Sequence, residues 1–357
     1  MCNSCSIDLQ KAEGFAESMV QMINQGALAL MVSIGHQTGL FDALAEMKTG
    51  SSECLAKTSG LQERYVREWL YAMAAGKIVE AIPDSDLFHL PEEHAAHLCR
   101  KSGGDNIALY AQYIPVLASV EAQVISCFWQ GGGVPYSSYE RFHEVMAEDS
   151  SLTIVDPILD KILPIEPGLI AQLEKGIQVL DIGCGRGKAM IKLAEHFPNS
   201  KFWGVDLCLD PLTKAKEEVA QRGLTNVQFE LADLTTYRPE GKFDLITAFD
   251  AIHDQARPDL VLSTVFECLT DQGIFLMQDI FGSSEVRNNL DHPFGPLLYT
   301  LSTMHCMTVS LAQGGMGLGT LWGVEKAREM IKEAGFSWIQ EHKLEHDPMN
   351  CYFIIRK

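Results

Sequence analysis

The sequence has no run of apolar residues near the roughly 18 that a membrane span requires. Its first residues, "MCNSCSIDLQKAEG", lack the basic segment and the following apolar segment of a secretory signal peptide. Internal repeats and low-complexity segments are also missing. Apolar residues make up 46% of the chain and charged residues 21%, as in ordinary globular proteins. We therefore expect a globular, cytoplasmic protein.

Positive charge is scarce. The chain has 28 Lys and Arg residues against 47 Asp and Glu residues, which gives a formal net charge of −19. Such a balance repels phosphate backbones and anionic membranes. It argues against nucleic-acid or membrane partners and leaves a small-molecule substrate as the expected partner.

Metal-ligand motifs are scarce as well. Ten cysteines without a secretory signal are expected to be reduced thiols. Cys2 and Cys5 form a single CxxC with no second half at metal-ligand spacing, and His94 and His97 in "HAAH" have no ligand pattern nearby. We expect an exposed N-terminus, surface histidines and no metal site.

The length of 357 residues suits two domains rather than one. We expect a winged-helix and dimerisation domain over 1–104, a proline-broken helical linker over 105–172, and a ligand-binding domain over 173–357.

The sequence of the first domain predicts three helices followed by a two-strand wing. Apolar residues recur at helical spacing through 15–46, a short helix begins after Ser51 or Ser52 and stops at Gly60, and a longer helix runs into the wing. Over 40–100 there are six Lys or Arg and ten Asp or Glu. DNA-binding domains have a basic surface, and this domain is acidic. We therefore expect it to dimerise or to cover the substrate rather than to bind DNA.

From residue 176 onward, apolar strands alternate with helices, and the chain closes with "SWIQEHKLEH", a "DPMN" turn and "CYFIIRK". Continuous apolar strands between helices are typical of a doubly wound, mostly parallel sheet. The last two strands are predicted to form a hairpin at one edge. The predicted fold class is therefore α/β with an additional, mainly α-helical N-terminal domain.

Three glycines, Gly183, Gly185 and Gly187, follow the first of these strands in "QVLDIGCGRGKAM". In an open α/β sheet, ligands bind beyond the carboxyl ends of the strands, and glycines let a ligand approach the backbone closely. Asp206 ends the next strand and suits a hydrogen bond to ribose hydroxyls.

Two cofactors compete for this turn. A dinucleotide site uses G-x-G-x-x-G, whereas this chain has G-x-G-x-G with Asp181 just before it. A carboxylate repels pyrophosphate and favours an ammonium or a sulfonium group. The pattern therefore favours a cationic ligand over NAD.

These motifs, together with "LADL" and "FDLITAFDAIHD", resemble those of class I S-adenosylmethionine-dependent methyltransferases. The resemblance covers about residues 170–357 and implies a Rossmann-like, seven-stranded sheet with an antiparallel C-terminal hairpin. The whole chain also resembles small-molecule O-methyltransferases that have an N-terminal winged-helix domain, with "GGGVPYSSY" and "GGMGLGTLWG" as shared segments.

The resemblance implies S-adenosyl-L-methionine as cofactor. The residues it assigns to cofactor binding are Asp181, Gly183, Gly185, Gly187, Asp206, Leu207, Asp233, Leu234, Phe249 and Asp250. Among them, Asp206 is expected at the ribose, Asp233 at the adenine amine, and Phe249 and Asp250 near the sulfonium.

The predicted catalytic residues are His253 and Asp254, which follow the end of a strand in "AIHDQARP". Plant-type O-methyltransferases have a catalytic His-Asp pair at the matching place. Here Gln255 replaces the aromatic residue that usually follows the pair. His253 is therefore expected either as a general base or as a substrate contact at the start of a helix.

A long segment, 282–322, separates the last parallel strand from the next helix and is rich in Met, Leu, Tyr and Gly. It is expected to be an apolar lid over the acceptor, with plain core packing as the alternative. The predicted substrate contacts are Tyr136, Tyr139, His292, Tyr299, His305 and Trp322.

The predicted function is methylation of a small molecule, with oxygen as the preferred acceptor and a homodimer as the expected assembly. Sulfur or nitrogen acceptors remain open, because a thiol or amine needs less help from a base. A non-catalytic regulator that binds the cofactor, and an NAD-dependent oxidoreductase, are the alternatives from other classes.

Overall fold

The structure, a computed structural model, describes residues 7–357. Cys2 and Cys5, the predicted CxxC, lie outside the described residues. The chain divides into two compact units, 1–115 and 116–357, so the segment expected as a linker over 105–172 is shared between them. No helix within the described residues is long and apolar enough to span a bilayer.

The first unit consists of short helices, three two-residue strands and one long helix. In chain order the elements are α1 (Leu9–Thr38), α2 (Leu40–Met47), β1 (Thr49–Gly50), α3 (Ser52–Ser59), α4 (Glu63–Ala75), β2 (Glu80–Ala81), β3 (Phe88–His89) and α5 (Glu92–Leu98). The strands form an antiparallel sheet in the order β1-β3-β2. This is a winged helix whose wing has one strand more than predicted.

Local sequence signals set the helix ends in this unit. The Ser51 side chain accepts a hydrogen bond of 3.3 Å from the Cys54 backbone N–H and caps α3, which ends at Gly60 in the left-handed conformation. The Trp69 indole donates to the Met31 carbonyl at 2.8 Å and packs edge-on against Phe41 in the core. These contacts hold α1, α2 and α4 together.

Helix α1 has an exposed apolar surface. Of its 30 residues only Ser33, Gly35 and His36 are buried. The exposed large apolar residues of this helix are Leu9, Phe15, Met19, Val20, Met22, Ile23, Leu30 and Ile34.

The second unit begins with helices and continues as an α/β sheet. Its helices are α6 (Tyr113–Ala118, which crosses the boundary), α7 (Glu121–Gln130), α8 (Phe142–Ser150), α9 (Leu169–Lys175), α10 (Lys188–His196), α11 (Leu209–Arg222), α12 (Pro258–Cys268), α13 (Gly295–Leu301), α14 (Met307–Ala312) and α15 (Gly323–Glu333). Its strands are β4 (Gln178–Ile182), β5 (Lys201–Asp206), β6 (Val227–Leu231), β7 (Phe243–Phe249), β8 (Leu269–Ile280), β9 (Trp338–Leu344) and β10 (Asp347–Arg356).

Within residues 7–357 these strands form one seven-stranded sheet in the order β6-β5-β4-β7-β8-β10-β9. The first five are parallel, and β10 runs antiparallel to both β8 and β9. The predicted doubly wound sheet with an antiparallel C-terminal hairpin is confirmed. Because the strand order reverses beside β4, the carboxyl ends of β4, β5 and β7 surround one crevice.

Candidate active site

A cleft opens at the carboxyl ends of β4, β5 and β7. It encloses about 1230 Å³ of space, part of which is continuous with solvent, and its wall includes residues of α8, α10 and the 282–322 segment. The carboxyl ends of the strands are where open α/β sheets bind their ligands. The cleft lies within the second compact unit.

The glycine turn after β4 contributes to the cleft in two different ways. Gly185, at φ 53°, lines the cleft, and a Cβ added there meets nothing within 4 Å. Gly187, at φ 63°, is not among the lining residues, and an added Cβ would lie 2.2 Å from Cζ of Phe229. Gly185 therefore leaves room on the cleft side, whereas Gly187 allows the turn to pack against β6.

Asp206, at the end of β5, fixes the shape of this turn. Its Oδ2 accepts a hydrogen bond of 2.8 Å from the Gly185 N–H, and its Oδ1 accepts one of 2.8 Å from the Cys208 N–H. The carboxylate lines the cleft. Each oxygen of a carboxylate has further acceptor capacity, so Asp206 can also bind the hydroxyls of a ligand.

Asp181 and Asp250 are acidic groups whose pKa values are raised by burial. Asp181 accepts a hydrogen bond of 2.6 Å from the Thr247 hydroxyl, and burial raises its pKa to about 7. Burial also raises the pKa of Asp250 to about 7, and its Oδ1 has no hydrogen-bond partner among residues 7–357. Both carboxyl groups line the cleft and would be stabilised as anions by a positively charged ligand.

The remaining predicted cofactor residues divide into two groups. Leu207, Leu234 and Phe249 line the cleft with the residues above. Asp233 does not: its side chain is exposed and accepts a hydrogen bond of 2.8 Å from the Thr235 N–H. With Gly183 also in the wall, the structure brings together most of the predicted set.

His253 lies buried in the wall of the cleft and is paired with a carboxylate other than the predicted one. Its Nδ1 is 2.9 Å from Oδ1 of Asp279, at the end of β8. The same oxygen accepts hydrogen bonds from the Trp322 indole at 3.0 Å and the Ile280 N–H at 2.8 Å. Burial alone would lower the pKa of His253, but the adjacent Asp279 carboxylate raises it well above its ordinary value.

Asp254, the predicted partner of His253, has other contacts. Its Oδ2 accepts a hydrogen bond of 2.6 Å from the Tyr136 hydroxyl, and Oδ1 accepts one of 3.3 Å from the Gln255 amide. Gln255 also donates to the Ala251 carbonyl at 2.8 Å. Gln255, which stands in place of the expected aromatic residue, therefore stabilises the turn that contains His253.

The comparisons with known proteins agree with this geometry. Residues 26–100 match the family model described as an Rv2258c-like winged HTH domain, and residues 173–335 match the methyltransferase domain model. The second matched segment is a methyltransferase domain. The predicted resemblance, enzyme class and cofactor are confirmed at the level of this domain.

Similar solved structures cover the full length. The mitomycin 7-O-methyltransferase MmcR is 18% identical with a TM-score of 0.69, over 98% of this chain and 100% of that one. Human N-acetylserotonin methyltransferase, in complex with SAM, is 15% identical with a TM-score of 0.68, over 100% and 99%. At these identities the likeness shows the fold.

Among curated sequences, (S)-coclaurine N-methyltransferase of Papaver somniferum is 33% identical over 110 residues. That segment spans 31% of this chain and 31% of the relative, so the match covers about a third of the relative's length.

On the acceptor side of the methyltransferase domain, Tyr136 and His305 line the cleft, but four other predicted contacts do not. Trp322 and Tyr139 are buried; Trp322 donates to Asp279, and the Tyr139 hydroxyl donates to the Met304 carbonyl. The Tyr299 hydroxyl accepts from the Asn289 amide at 3.0 Å, and Nδ1 of His292 accepts from the Phe294 N–H at 3.1 Å.

About half of the 282–322 segment is helical, and hydrogen bonds hold it beside the turn that contains His253. The Ser310 hydroxyl donates to the Gln255 carbonyl at 2.8 Å, and the Met316 N–H donates to the Ala256 carbonyl at 2.9 Å. An added Cβ at Gly315 would lie 2.5 Å from Cα of Ala256, so the glycine is needed for this close approach. Whether the segment opens as a lid stays a prediction.

One group of side chains in the methyltransferase domain has the arrangement of metal ligands. Within residues 7–357, ligand atoms of Asp250, His253 and Asp279 all lie within 4.8 Å of one another. The 2.9 Å contact from His253 to Asp279 has ordinary hydrogen-bond length, which a proton on Nδ1 accounts for.

Sequence reasoning did not single out Asp279, Arg186 or Cys306. Arg186 and Cys306 line the cleft, and the Cys306 side chain contributes to the raised pKa of His253. The signal for Asp279 was an acidic residue at the end of the apolar strand "GIFLMQDIF", next to the strand that precedes His253.

Proposed function

We propose that this chain methylates a hydroxyl oxygen of an uncharged small molecule. When bound, S-adenosylmethionine supplies the methyl group, which it carries on a positively charged sulfur. The observation that carries the proposal is the buried His253, which lies in the cleft wall with Nδ1 held by Asp279 at 2.9 Å.

The cofactor-binding residues in this proposal are those that surround the glycine turn. Asp206 binds the ribose hydroxyls with the acceptor capacity that its two backbone hydrogen bonds leave free. Asp181 and Asp250 favour the positively charged part of the cofactor, because burial raises the pKa of both carboxyl groups and a cation stabilises their ionised forms. Gly185 leaves space for close approach, and the role of Asp233 at the adenine remains part of the proposal.

His253 acts as the general base. The raised pKa of His253 means that the ring must lose a proton before it can act as a base. A carboxylate only accepts hydrogen bonds, so in the deprotonated ring Asp279 holds the remaining proton on Nδ1 and leaves the lone pair on Nε2. Nε2 removes the hydroxyl proton of the acceptor as the oxygen attacks. Asp279 then stabilises the imidazolium ion that forms. Asp254 and Tyr136 hold the turn in place.

The test is transfer of an isotopically labelled methyl group from S-adenosylmethionine to compounds in a metabolite extract, with the product identified by mass spectrometry. Replacement of His253 by Ala is expected to lower turnover by about 100-fold or more, with cofactor affinity unchanged. His196→Ala, at an exposed position outside the cleft, is the matched control. If purified protein binds neither S-adenosylmethionine nor S-adenosylhomocysteine in calorimetry, the proposal is wrong.

A nitrogen acceptor is the second candidate, because one curated relative is named as an N-methyltransferase. An amine acceptor that is already unprotonated needs no base for attack. A loss of turnover of less than about tenfold in His253→Ala would therefore favour an amine or a thiol acceptor over a hydroxyl.

We also propose that the chain forms a homodimer through the first unit. The exposed apolar side chains of α1 support this, because a helix with eight exposed large apolar side chains is typical of an interaction surface. Sedimentation of the wild type and of a Phe15→Glu, Ile23→Glu variant distinguishes a dimer from a monomer.

The proposed location is the cytoplasm, and DNA is not a proposed partner. The eight cysteines in the described residues are all unpaired thiols, as a reducing compartment requires. The acidic composition of the winged helix supports the absence of DNA binding, which a gel-shift assay with random duplex tests.

A further inference from the structure

His305 is a buried side chain without a hydrogen-bond partner in the wall of the cleft. It is 1% exposed, and within residues 7–357 neither of its ring nitrogens has a partner. It lies in the π-helical turn Ser302–Cys306, which directly precedes α14. Buried polar groups nearly always have a hydrogen-bond partner. Two ring nitrogens without a partner in the wall of a cleft therefore indicate a ligand that binds them.

Aromatic rings hold His305 firmly without pairing its nitrogens. The imidazole stacks on Phe142, with ring centroids 3.4 Å apart and planes 10° apart. Tyr136 and Tyr139 meet it edge-on at 4.9 and 4.8 Å. The Tyr136 hydroxyl donates a hydrogen bond to Asp254, and the Tyr139 hydroxyl donates one to the Met304 carbonyl, so neither bonds to His305. The ring is therefore positioned by stacking, and its hydrogen-bonding capacity is left unused.

The protonation state of His305 limits the kinds of chemical group that can hydrogen-bond to it. Burial, with smaller contributions from His253 and His143, lowers the pKa of His305 well below its ordinary value. The neutral ring offers one N–H donor and one lone pair. Such a ring pairs with an uncharged polar group such as a carbonyl or a hydroxyl.

We infer that His305 recognises a second polar group on the methyl acceptor. The acceptor is a flat, uncharged molecule that carries, in addition to the hydroxyl that is methylated, a carbonyl or a further hydroxyl. The aromatic wall formed by Tyr136, Phe142 and Phe249 suits a flat ring. This inference rests on the proposed function, because it places the first hydroxyl at His253.

The first test uses stability and needs no acceptor. His305→Phe keeps a ring to stack on Phe142 and removes both unpaired nitrogens, so the melting temperature of the unliganded protein is expected to stay equal or rise. The control is His196→Phe, whose exposed ring meets Phe197 edge-on at 4.8 Å outside the cleft. A fall in melting temperature clearly larger than in the control would mean that the nitrogens stabilise the fold, which overturns the inference.

The second test uses two flat probes of similar shape, 7-hydroxycoumarin and 2-naphthol, of which only the first has a carbonyl besides its hydroxyl. Binding is measured by calorimetry to protein saturated with S-adenosylhomocysteine. The wild type is expected to bind 7-hydroxycoumarin at least about tenfold more tightly, and His305→Phe to lose that preference while keeping its affinity for 2-naphthol.

Three results would overturn the inference: equal binding of the two probes by the wild type, a preference that survives in His305→Phe, or binding of neither probe. A failure of the proposed function is distinguishable, because the wild-type protein would then fail to bind S-adenosylhomocysteine in the first step. S-adenosylhomocysteine affinity is expected to be the same in His305→Phe and in the wild type.

Discussion

The hydroxyl of Tyr136 donates a hydrogen bond of 2.6 Å to Oδ2 of Asp254, across 118 positions of sequence. It connects the loop before α8 with the turn that carries His253. Burial raises the pKa of Tyr136 well above its ordinary value, and the adjacent Asp254 charge adds to this effect. The phenol is therefore a hydrogen-bond donor at every physiological pH.

Removal of this donor is expected to loosen the catalytic turn. In Tyr136→Phe the Asp254 carboxylate loses a charged hydrogen bond in a buried place, so kcat/KM for the identified acceptor should fall by about tenfold or more. Calorimetry should show unchanged S-adenosylmethionine affinity. Wild-type kinetics in Tyr136→Phe would show that the contact does not position the turn.

Asp279→Asn tests the pairing with His253. An amide removes the negative charge that raises the pKa of His253, so the rising limb of activity against pH should move to lower pH. Turnover at the optimum should fall by about tenfold to 100-fold, because the imidazolium loses its stabilising partner.

Stability should change in a defined direction in the same variant. A raised pKa in the folded state gives a stabilisation that is complete below the unfolded value of about 6.5 and is lost as pH rises through the folded value. The stability difference between wild type and Asp279→Asn, measured by urea unfolding, should therefore shrink toward alkaline pH. A difference that grows with pH would contradict the assignment.

The buried acids at the cleft predict pH-dependent cofactor binding. Asp181 and Asp250 have pKa values raised to about 7 from 3.8, so the unliganded protein should lose stability as pH rises between these values. A cation favours their ionised forms, so S-adenosylmethionine should bind more tightly at pH 8 than at pH 6, by up to about tenfold for each group. Calorimetry in buffers of different ionisation enthalpy should show proton release, which Asp181→Asn reduces.

Two glycine substitutions in one turn should have different effects. Gly187→Ala places a methyl group 2.2 Å from the Phe229 ring, so the free energy of unfolding should fall by about 3 kcal/mol. Gly185→Ala meets nothing within 4 Å and should cost about 1 kcal/mol of backbone strain, with its main effect on S-adenosylmethionine affinity. Thermal unfolding and calorimetry on both variants check this, and the reverse order of effects would contradict it.

Removal of divalent metal should leave methyl transfer intact. The hydrogen bond from His253 to Asp279 requires a proton where a metal ion would bind, so base catalysis predicts the same turnover with and without a chelator. A loss of activity with EDTA that zinc or magnesium restores would assign the three ligands to a metal ion instead.

Local sequence signals predicted the sheet, the glycine turn and the capped helix α3 because each depends on neighbours in the chain. The partner of His253 could not be found that way. Parallel pairing of β7 with β8 sets Phe249 opposite Gln278, which brings Asp279 beside the turn that starts at Asp250. That register is decided by packing of the whole sheet, whereas Asp254 was adjacent in sequence and therefore the obvious partner.

The acceptor side was harder to predict for the same reason. Tyr139, Tyr299 and Trp322 each form hydrogen bonds with distant or backbone groups, which composition cannot reveal. Asp233 follows β6 as the predicted pattern requires, but its side chain hydrogen-bonds the Thr235 N–H outside the cleft wall. Strand ends could be located from sequence, whereas side-chain direction at each end depends on the turn that follows.

Each carboxylate oxygen of Asp206 accepts one backbone hydrogen bond, Oδ2 from the Gly185 N–H and Oδ1 from the Cys208 N–H. The glycine turn and the start of the loop after β5, which we propose bind the nucleoside, are therefore held by one side chain. The loss of conformational freedom in this corner occurs when the chain folds, so an arriving cofactor meets a preorganised surface and retains more of its contact energy as affinity.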